Sequence, residues 1–288
     1  MLVDTHAHLY WDSYQEGFDS IIQRAVDNDV KLIINIGVDL ETSKKCLELS
    51  SDKIRFYSTI GIHPHDAPQQ ARDKQSLPIR FTQDKATIDE SIRQLMGDLE
   101  ILYHQHPAKI AAIGECGLDY FFRDEFSNSL LSHDESKQLQ MKLYKAQVLL
   151  AKKLNLPLAI HCRESWQDIF IPELIDTTGV FHNFSGSKED SLHACKLGYY
   201  LSFSCVLSYP KNQDLRDLVK MIPLDRILTE TDCPFLPPQQ IRGQRNEPAN
   251  ISGVIKIISE IKQIPFDEVA HQILKNTQKL FKIDQTGI

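Results

Sequence analysis

The chain predicts an α/β fold, specifically a (β/α)8 barrel, and three observations lead there. Eight short apolar runs of strand length alternate with stretches whose apolar residues recur at three-to-four spacing. No G-x-G-x-x-G or G-x-x-x-x-G-K turn follows any of the runs, which disfavours a nucleotide-binding doubly wound sheet. Histidines and carboxylates fall at the trailing ends of the runs, where a barrel of alternating strands and helices builds its active site. The length of 288 residues suits one such barrel, and 42% apolar residues can fill its core. With no linker, internal repeat or low-complexity tract in view, residues 1–288 read as a single domain.

The strands are expected at 2–8, 31–37, 55–61, 109–115, 157–161, 179–183, 199–203 and 226–231. The first closes on Val3-Asp4-Thr5-His6-Ala7-His8 and the fourth on Ile113-Gly114-Glu115. The fifth closes on Ala159-Ile160-His161, the sixth on Val180-Phe181-His182, and the eighth on Thr229-Glu230-Thr231-Asp232. Between them, Ile88, Ile92, Leu95, Leu99 and Leu102 share one helix face, as do Leu139, Leu143, Ala146 and Leu150. Segments 66–87 and 120–135 read as long loops, mixed in charge and proline, and both follow strands. Loops of that length on the active-site face are more often functional than decorative.

The net charge of −7 argues against a surface that coats nucleic acid generally, but it leaves room for a local phosphate site. Six cysteines without C-x-x-C spacing read as free thiols in a reducing compartment. Cys116, Cys162 and Cys233 each directly follow a proposed ligand, so they point to the opposite face and should pack rather than ligate. The N-terminal residues lack the pattern of a signal peptide, and no run approaches membrane-spanning length. The expectation is a cytoplasmic protein with no membrane partner.

Chemistry enters through the strand ends. His6 and His8 are two apart, so on a strand both imidazoles face one side, a geometry that can chelate a cation. Alone, the pair fits a hydrogen-bonded structural role equally well. Glu115 offers two oxygens that could bridge two cations ~3.5–4 Å apart, or it could cap the following loop. His161 and His182 end adjacent strands, and their agreement in position favours ligation over separate structural roles. Asp232 ends the eighth strand, beside the first in a closed barrel. It can serve as ligand, as general base toward a water, or as both. Glu230, one layer deeper, is a supporting group or an ion-pair partner.

Seven segments together resemble the TatD family of metal-dependent deoxyribonucleases. They are Asp4-Thr5-His6-Ala7-His8-Leu9, Gly61-Ile62-His63-Pro64-His65, Gly114-Glu115-Cys116-Gly117-Leu118-Asp119-Tyr120, Ile160-His161-Cys162-Arg163, His182-Asn183-Phe184-Ser185-Gly186, Glu230-Thr231-Asp232-Cys233-Pro234 and Arg245-Asn246-Glu247-Pro248. The resemblance runs the length of the chain in the family's order. It implies a TIM-type barrel of the amidohydrolase superfamily with two divalent cations. One cation would take His6, His8, Glu115 and Asp232, and the other Glu115, His161 and His182. Asn183 departs from the family pattern, where a cysteine commonly follows the histidine. That changes a neighbour and not a ligand. Many amidohydrolases bridge their metals with a carboxylated lysine from the fourth strand. Here that strand end offers Glu115, and Lys109 lies at the opposite end.

His63, Arg163 and Arg245 are candidate donors to substrate phosphate, Arg being able to bind bidentately. Arg163 could instead pair with Glu164 or Asp168, and His65 could cap or touch substrate. Asp119 is expected to position the loop or a ligand histidine. Trp11 and Tyr120 could stack on a base, although core packing is the commoner fate of such rings. The resemblance thus implies a 3′→5′ exodeoxyribonuclease acting best on single-stranded DNA, with Glu115 and Asp232 in the catalytic roles. Hydrolysis of an ester, as in D-aminoacyl-tRNA deacylation, and a non-catalytic metal-stabilised scaffold are the alternatives. Four imidazoles favour Zn²⁺ or Mn²⁺ by ligand softness, whereas the family is associated with Mg²⁺.

Overall fold

Eight parallel strands form one sheet in strict chain order, and the helices lie between them in sequence. The computed structural model describes residues 1–14, 17–65, 85–122 and 131–283. The strands are β1 (Leu2–Ala7), β2 (Val30–Ile36), β3 (Arg55–Ile60), β4 (Ile110–Asp119), β5 (Leu158–Arg163), β6 (Gly179–Phe181), β7 (Tyr200–Phe203) and β8 (Ile227–Thr229). All eight coincide with runs read from the sequence.

The eighth strand returns to the first. Ala7 and Cys233 form a parallel bridge, His8 N donates to the Cys233 carbonyl at 2.8 Å, and Asp232 N donates to the His6 carbonyl at 2.9 Å. Thr5 Oγ1 donates to the Thr229 carbonyl. The buried Asp4 carboxylate accepts from Thr231 N at 2.9 Å and from Thr231 Oγ1 at 2.5 Å. This seam carries His6, His8 and Asp232 to one mouth, so the β1–β8 closure assembles half of the site.

Inside the barrel, Val3, Leu32, Ile34, Ile36, Ala112, Ala159, Val180, Tyr200 and Leu228 pack as one apolar cluster, joined by Leu280, Phe281 and Ile283 of the C-terminal region. The alternate residues, such as Ile33, Ile113, Ile160, Phe181 and Leu201, pack outward with the helices. This alternation is why strands buried on both sides read as near-continuous apolar runs.

Leu95 and Leu99 are buried on helix Lys85–Gln105, as are Leu139, Leu143 and Leu150 on helix His133–Leu154. The two expected loops are therefore shorter than their sequence suggests. Residues 85–87 are helical, and a capping box between Ser132 and Glu135 starts the second helix at His133. Of the rest of those loops, 66–84 and 123–130 lie outside the described residues. Cys116, Cys162 and Cys233 are buried in the core as free thiols. No described helix is long and apolar enough to cross a membrane.

Candidate metal centre

The described structure brings His6, His8, Glu115, His161, His182 and Asp232 together at the C-terminal mouth of the barrel. Glu115 stands between the two halves. Its Oε2 lies 3.5 Å from His6 Nε2 and 4.0 Å from His8 Nε2. Its Oε1 lies 2.8 Å from both His161 Nδ1 and His182 Nε2. Asp232 Oδ1 completes the first half, 3.6 Å from His6 Nε2 and 3.4 Å from His8 Nε2.

Local backbone explains how β4 and β5 come this close. β4 runs past Glu115 to Asp119, so that Cys116–Asp119 pair with Ile160–Arg163. Gly114 and Gly117 have φ of 143° and 140°. A Cβ on Gly117 would stand 2.0 Å from the His161 carbonyl oxygen, and one on Gly114 would stand 2.3 Å from that of Ala159. Only glycine permits this approach.

Each of three rings has one nitrogen held by an acceptor and the other turned inward. His8 Nδ1 faces the Ile36 carbonyl at 3.2 Å, His161 Nε2 faces Asp119 Oδ2 at 2.9 Å, and His182 Nδ1 faces Glu230 Oε1 at 3.3 Å. With the outer nitrogen donating, the inner one keeps its lone pair for a cation, the arrangement that orients metal-bound histidines. His6 Nε2 is buried and has no hydrogen-bond partner. His161 Nδ1 and His182 Nε2 approach to 3.0 Å, where two lone pairs would repel without a proton or cation between them. The donor set therefore fits divalent metal, and the combinations His6–His8–Asp232 and His6–Glu115–His182 each have ligand atoms close enough to hold one ion.

The electrostatics agree. Burial disfavours charge on His182, but the carboxylates of Glu115 and Glu230 outweigh it and raise its pKa well above the ordinary value. His161 and His8 are raised against the same burial, by Asp119 with Glu115 and by Asp232 with Glu115. Burial would raise Glu115, yet the surrounding histidines hold it well below the usual carboxylate range. Asp232 is likewise lowered, by His8, His6 and His182 acting against burial.

The other expected residues divide. His63 is close to the centre, with Nε2 3.5 Å from Glu115 Oε1, and a grouping with Glu115 and His161 is near enough to hold an ion. Its Nδ1, however, accepts the His65 backbone N–H at 3.1 Å, and burial holds the ring neutral by lowering its pKa well below normal. The hydrogen must then sit on Nε2, which makes His63 a donor and not a ligand. Arg163 lines the cleft, but its Nε donates to Asp119 Oδ1 at 3.0 Å and its Nη2 lies 2.6 Å from Oδ2. Asp119, and not Glu164 or Asp168, is thus its partner.

Arg245 is not brought to the site. Its guanidinium lies 4.6 Å from the centroid of the Tyr14 ring and donates to the Ser13 carbonyl, and it is not among the residues lining the cleft. The neighbouring Asn246 is the residue in that motif with a buried task. Its Nδ2 donates to the carbonyls of Thr231 and Leu236, fastening the segment after Asp232. His65 also belongs to the site, with Nε2 2.8 Å from Asp119 Oδ2. Asp119 holds His161 Nε2 at 2.9 Å, as its expected positioning role requires, and it also gathers His65 and Arg163, a grouping that no sequence spacing signals.

A (β/α)8 barrel with buried, acceptor-backed imidazoles around a carboxylate at its C-terminal mouth is the architecture of a metal-dependent hydrolase. The family model described as TatD related DNase matches residues 3–282, and the chain belongs to that family. It is 34% identical to the metal-dependent hydrolase YabD of Bacillus subtilis, over 99% of this chain and 100% of YabD. It is 30% identical to the metal-dependent hydrolase YjjV of Escherichia coli, over 98% of each. The crystal structure of YjjV superposes with a TM-score of 0.79 at 28% identity, covering 98% of each chain. That of a TatD family hydrolase from Entamoeba histolytica does so with a TM-score of 0.78 at 25% identity, covering 97% of each.

Proposed function

We propose that this metal-dependent hydrolase cleaves phosphodiester bonds in DNA, as a 3′→5′ exodeoxyribonuclease acting best on single strands with two divalent cations. The observation that carries the two-cation reading is Glu115, whose Oε2 faces His6 and His8 while its Oε1 faces His161 and His182. The family's description as DNase supports the substrate. Divalent cations at such a centre supply Lewis acidity and lower the pKa of a water. Two of them (+4) against Glu115 and Asp232 (−2) would leave about +2 to receive a phosphate, which a chain of net charge −7 otherwise lacks.

The protein's own groups do the rest. Asp232, held ionised by the histidines around it, orients the attacking water and accepts its proton. His63 offers Nε2–H to a phosphate oxygen, and Arg163 and His65, both held by Asp119, line the same cleft. End-labelled single-stranded DNA tests the reading. Progressive metal-dependent shortening from the 3′ end, stopped by chelator, is expected, and Asp232→Asn should cost ~10²–10⁴ in rate. Absence of cleavage across several divalent ions, or full activity in Asp232→Asn, overturns it. Turnover of charged tRNA in its place would establish the ester hydrolase, and turnover of neither substrate would leave the scaffold.

A further inference from the structure

The cleft at the barrel mouth, about 800 Å³, has two unlike walls. One carries His65, Arg163 and Glu164, and the other Tyr10, Trp11, Phe235 and Leu236. Trp11 and Phe235 are each 43% exposed. Among the described residues the other large exposed hydrophobic side chains are aliphatic or methionine, so both exposed aromatic rings lie beside the same centre. They meet edge to face with centroids 5.4 Å apart, and Phe235 lies 5.9 Å from the His8 ring.

The backbone ties each ring to a proposed ligand three residues earlier. Trp11 N donates to the His8 carbonyl at 3.3 Å, and Phe235 N donates to the Asp232 carbonyl at 2.9 Å. Beyond Phe235, the Leu236 carbonyl accepts from Asn246 Nδ2 and the Pro237 carbonyl from Tyr209 Oη. The two rings are therefore held at a set position relative to His8 and Asp232. An exposed aromatic corner at an anion-receiving centre suits a ligand that joins an anionic group to a flat π face.

We infer that Trp11 and Phe235 form a stacking subsite for an unpaired nucleobase of the nucleotide whose phosphate occupies the metal centre. This rests on the nuclease reading for the phosphate and adds a base-recognising surface to it. A base inside a duplex is already stacked on its neighbours and cannot present its face to Trp11, so the subsite selects single-stranded or frayed ends.

The chain has two tryptophans, so Trp166→Phe leaves Trp11 as the sole indole reporter. Stopped-flow mixing of this variant with oligothymidylate, with Ca²⁺ present and read before turnover, should quench Trp11. Inorganic polyphosphate of equal charge should not. Trp11→Ala and Phe235→Ala should bind oligothymidylate roughly 5- to 100-fold more weakly, and Trp11→Phe should restore most of the affinity. The preference for an oligonucleotide with a normal terminal nucleotide over one ending in a base-free sugar should collapse in Trp11→Ala. Equal quenching by polyphosphate, or unchanged affinity in both alanine variants, overturns the subsite. Trp11 quenching without hydrolysis under any divalent ion would sink the nuclease reading alone. Hydrolysis with Trp11 silent and Trp11→Ala unimpaired would sink the subsite alone.

Discussion

Asp119 Oδ2 holds His161 through its Nε2 at 2.9 Å, while Nδ1 of the same ring lies 2.8 Å from Glu115. Asp119 is fully buried, and its carboxylate also takes His65 and Arg163. Burial alone would raise its pKa, yet these partners hold it far below the usual carboxylate range. One carboxylate thus orients the ring that faces the candidate metal centre and holds two side chains, His65 and Arg163, that line the cleft.

Asp119→Asn should weaken divalent-ion affinity by roughly 10–100-fold, because the amide can satisfy His161 only as a neutral acceptor and cannot raise its basicity. Competition against a chromophoric chelator measures this. Affinity equal to the parent's would show that His161 is oriented by packing alone.

Metal analysis of fully loaded protein should approach two cations per chain. Glu115→Ala should lower occupancy of both, since the residue faces both histidine sets, while His182→Ala should mainly empty one. Full two-cation occupancy in Glu115→Ala would rule out the bridge.

The raised pKa values of His8, His161 and His182 contribute a pH dependence of one sign, which the lowered values of His6 and His63 oppose. In chelated protein, His8, His161 and His182 bind protons more tightly folded than unfolded. The stability they contribute is complete below the ordinary histidine value of 6.5 and is lost as pH rises through their folded values. Cations need the same rings unprotonated, so binding should release protons and strengthen with pH. Melting curves with chelator and with Mn²⁺, taken across this range, should therefore diverge as pH rises. Parallel curves would show that the rings do not titrate against the metal.

Gly117→Ala places a methyl group 2.0 Å from the His161 carbonyl at a φ of 140°. Backbone strain of this kind costs roughly 1–3 kcal/mol before the clash is counted. In a chain of 288 residues that strain alone should lower the Tm by roughly 2–5 °C. Divalent-ion affinity should fall with it, because the displaced strand carries His161. Calorimetry and the chelator competition read the two effects separately, and loss of stability with affinity intact would detach β4–β5 spacing from the site.

The barrel and its polar mouth are legible in the order of residues alone. Apolar runs, their alternation with helical faces, and polar residues at their ends are local properties, and all eight strands and the convergence of His6, His8, Glu115, His161, His182 and Asp232 follow from them. Which side chains meet beyond the strand ends depends on packing between distant segments. The pairing of Asp119 with Arg163 depends on β4 and β5 continuing in register past Glu115. Trp11 is exposed and Tyr120 buried although both follow strand ends, because exposure there depends on what the loops pack against. Arg245 turned to Tyr14 and not to the cleft for the same reason. Periodicity encodes which way a residue points within a strand. Once the chain leaves the strand that constraint ends, and the partner is chosen by whatever barrel closure brings within reach.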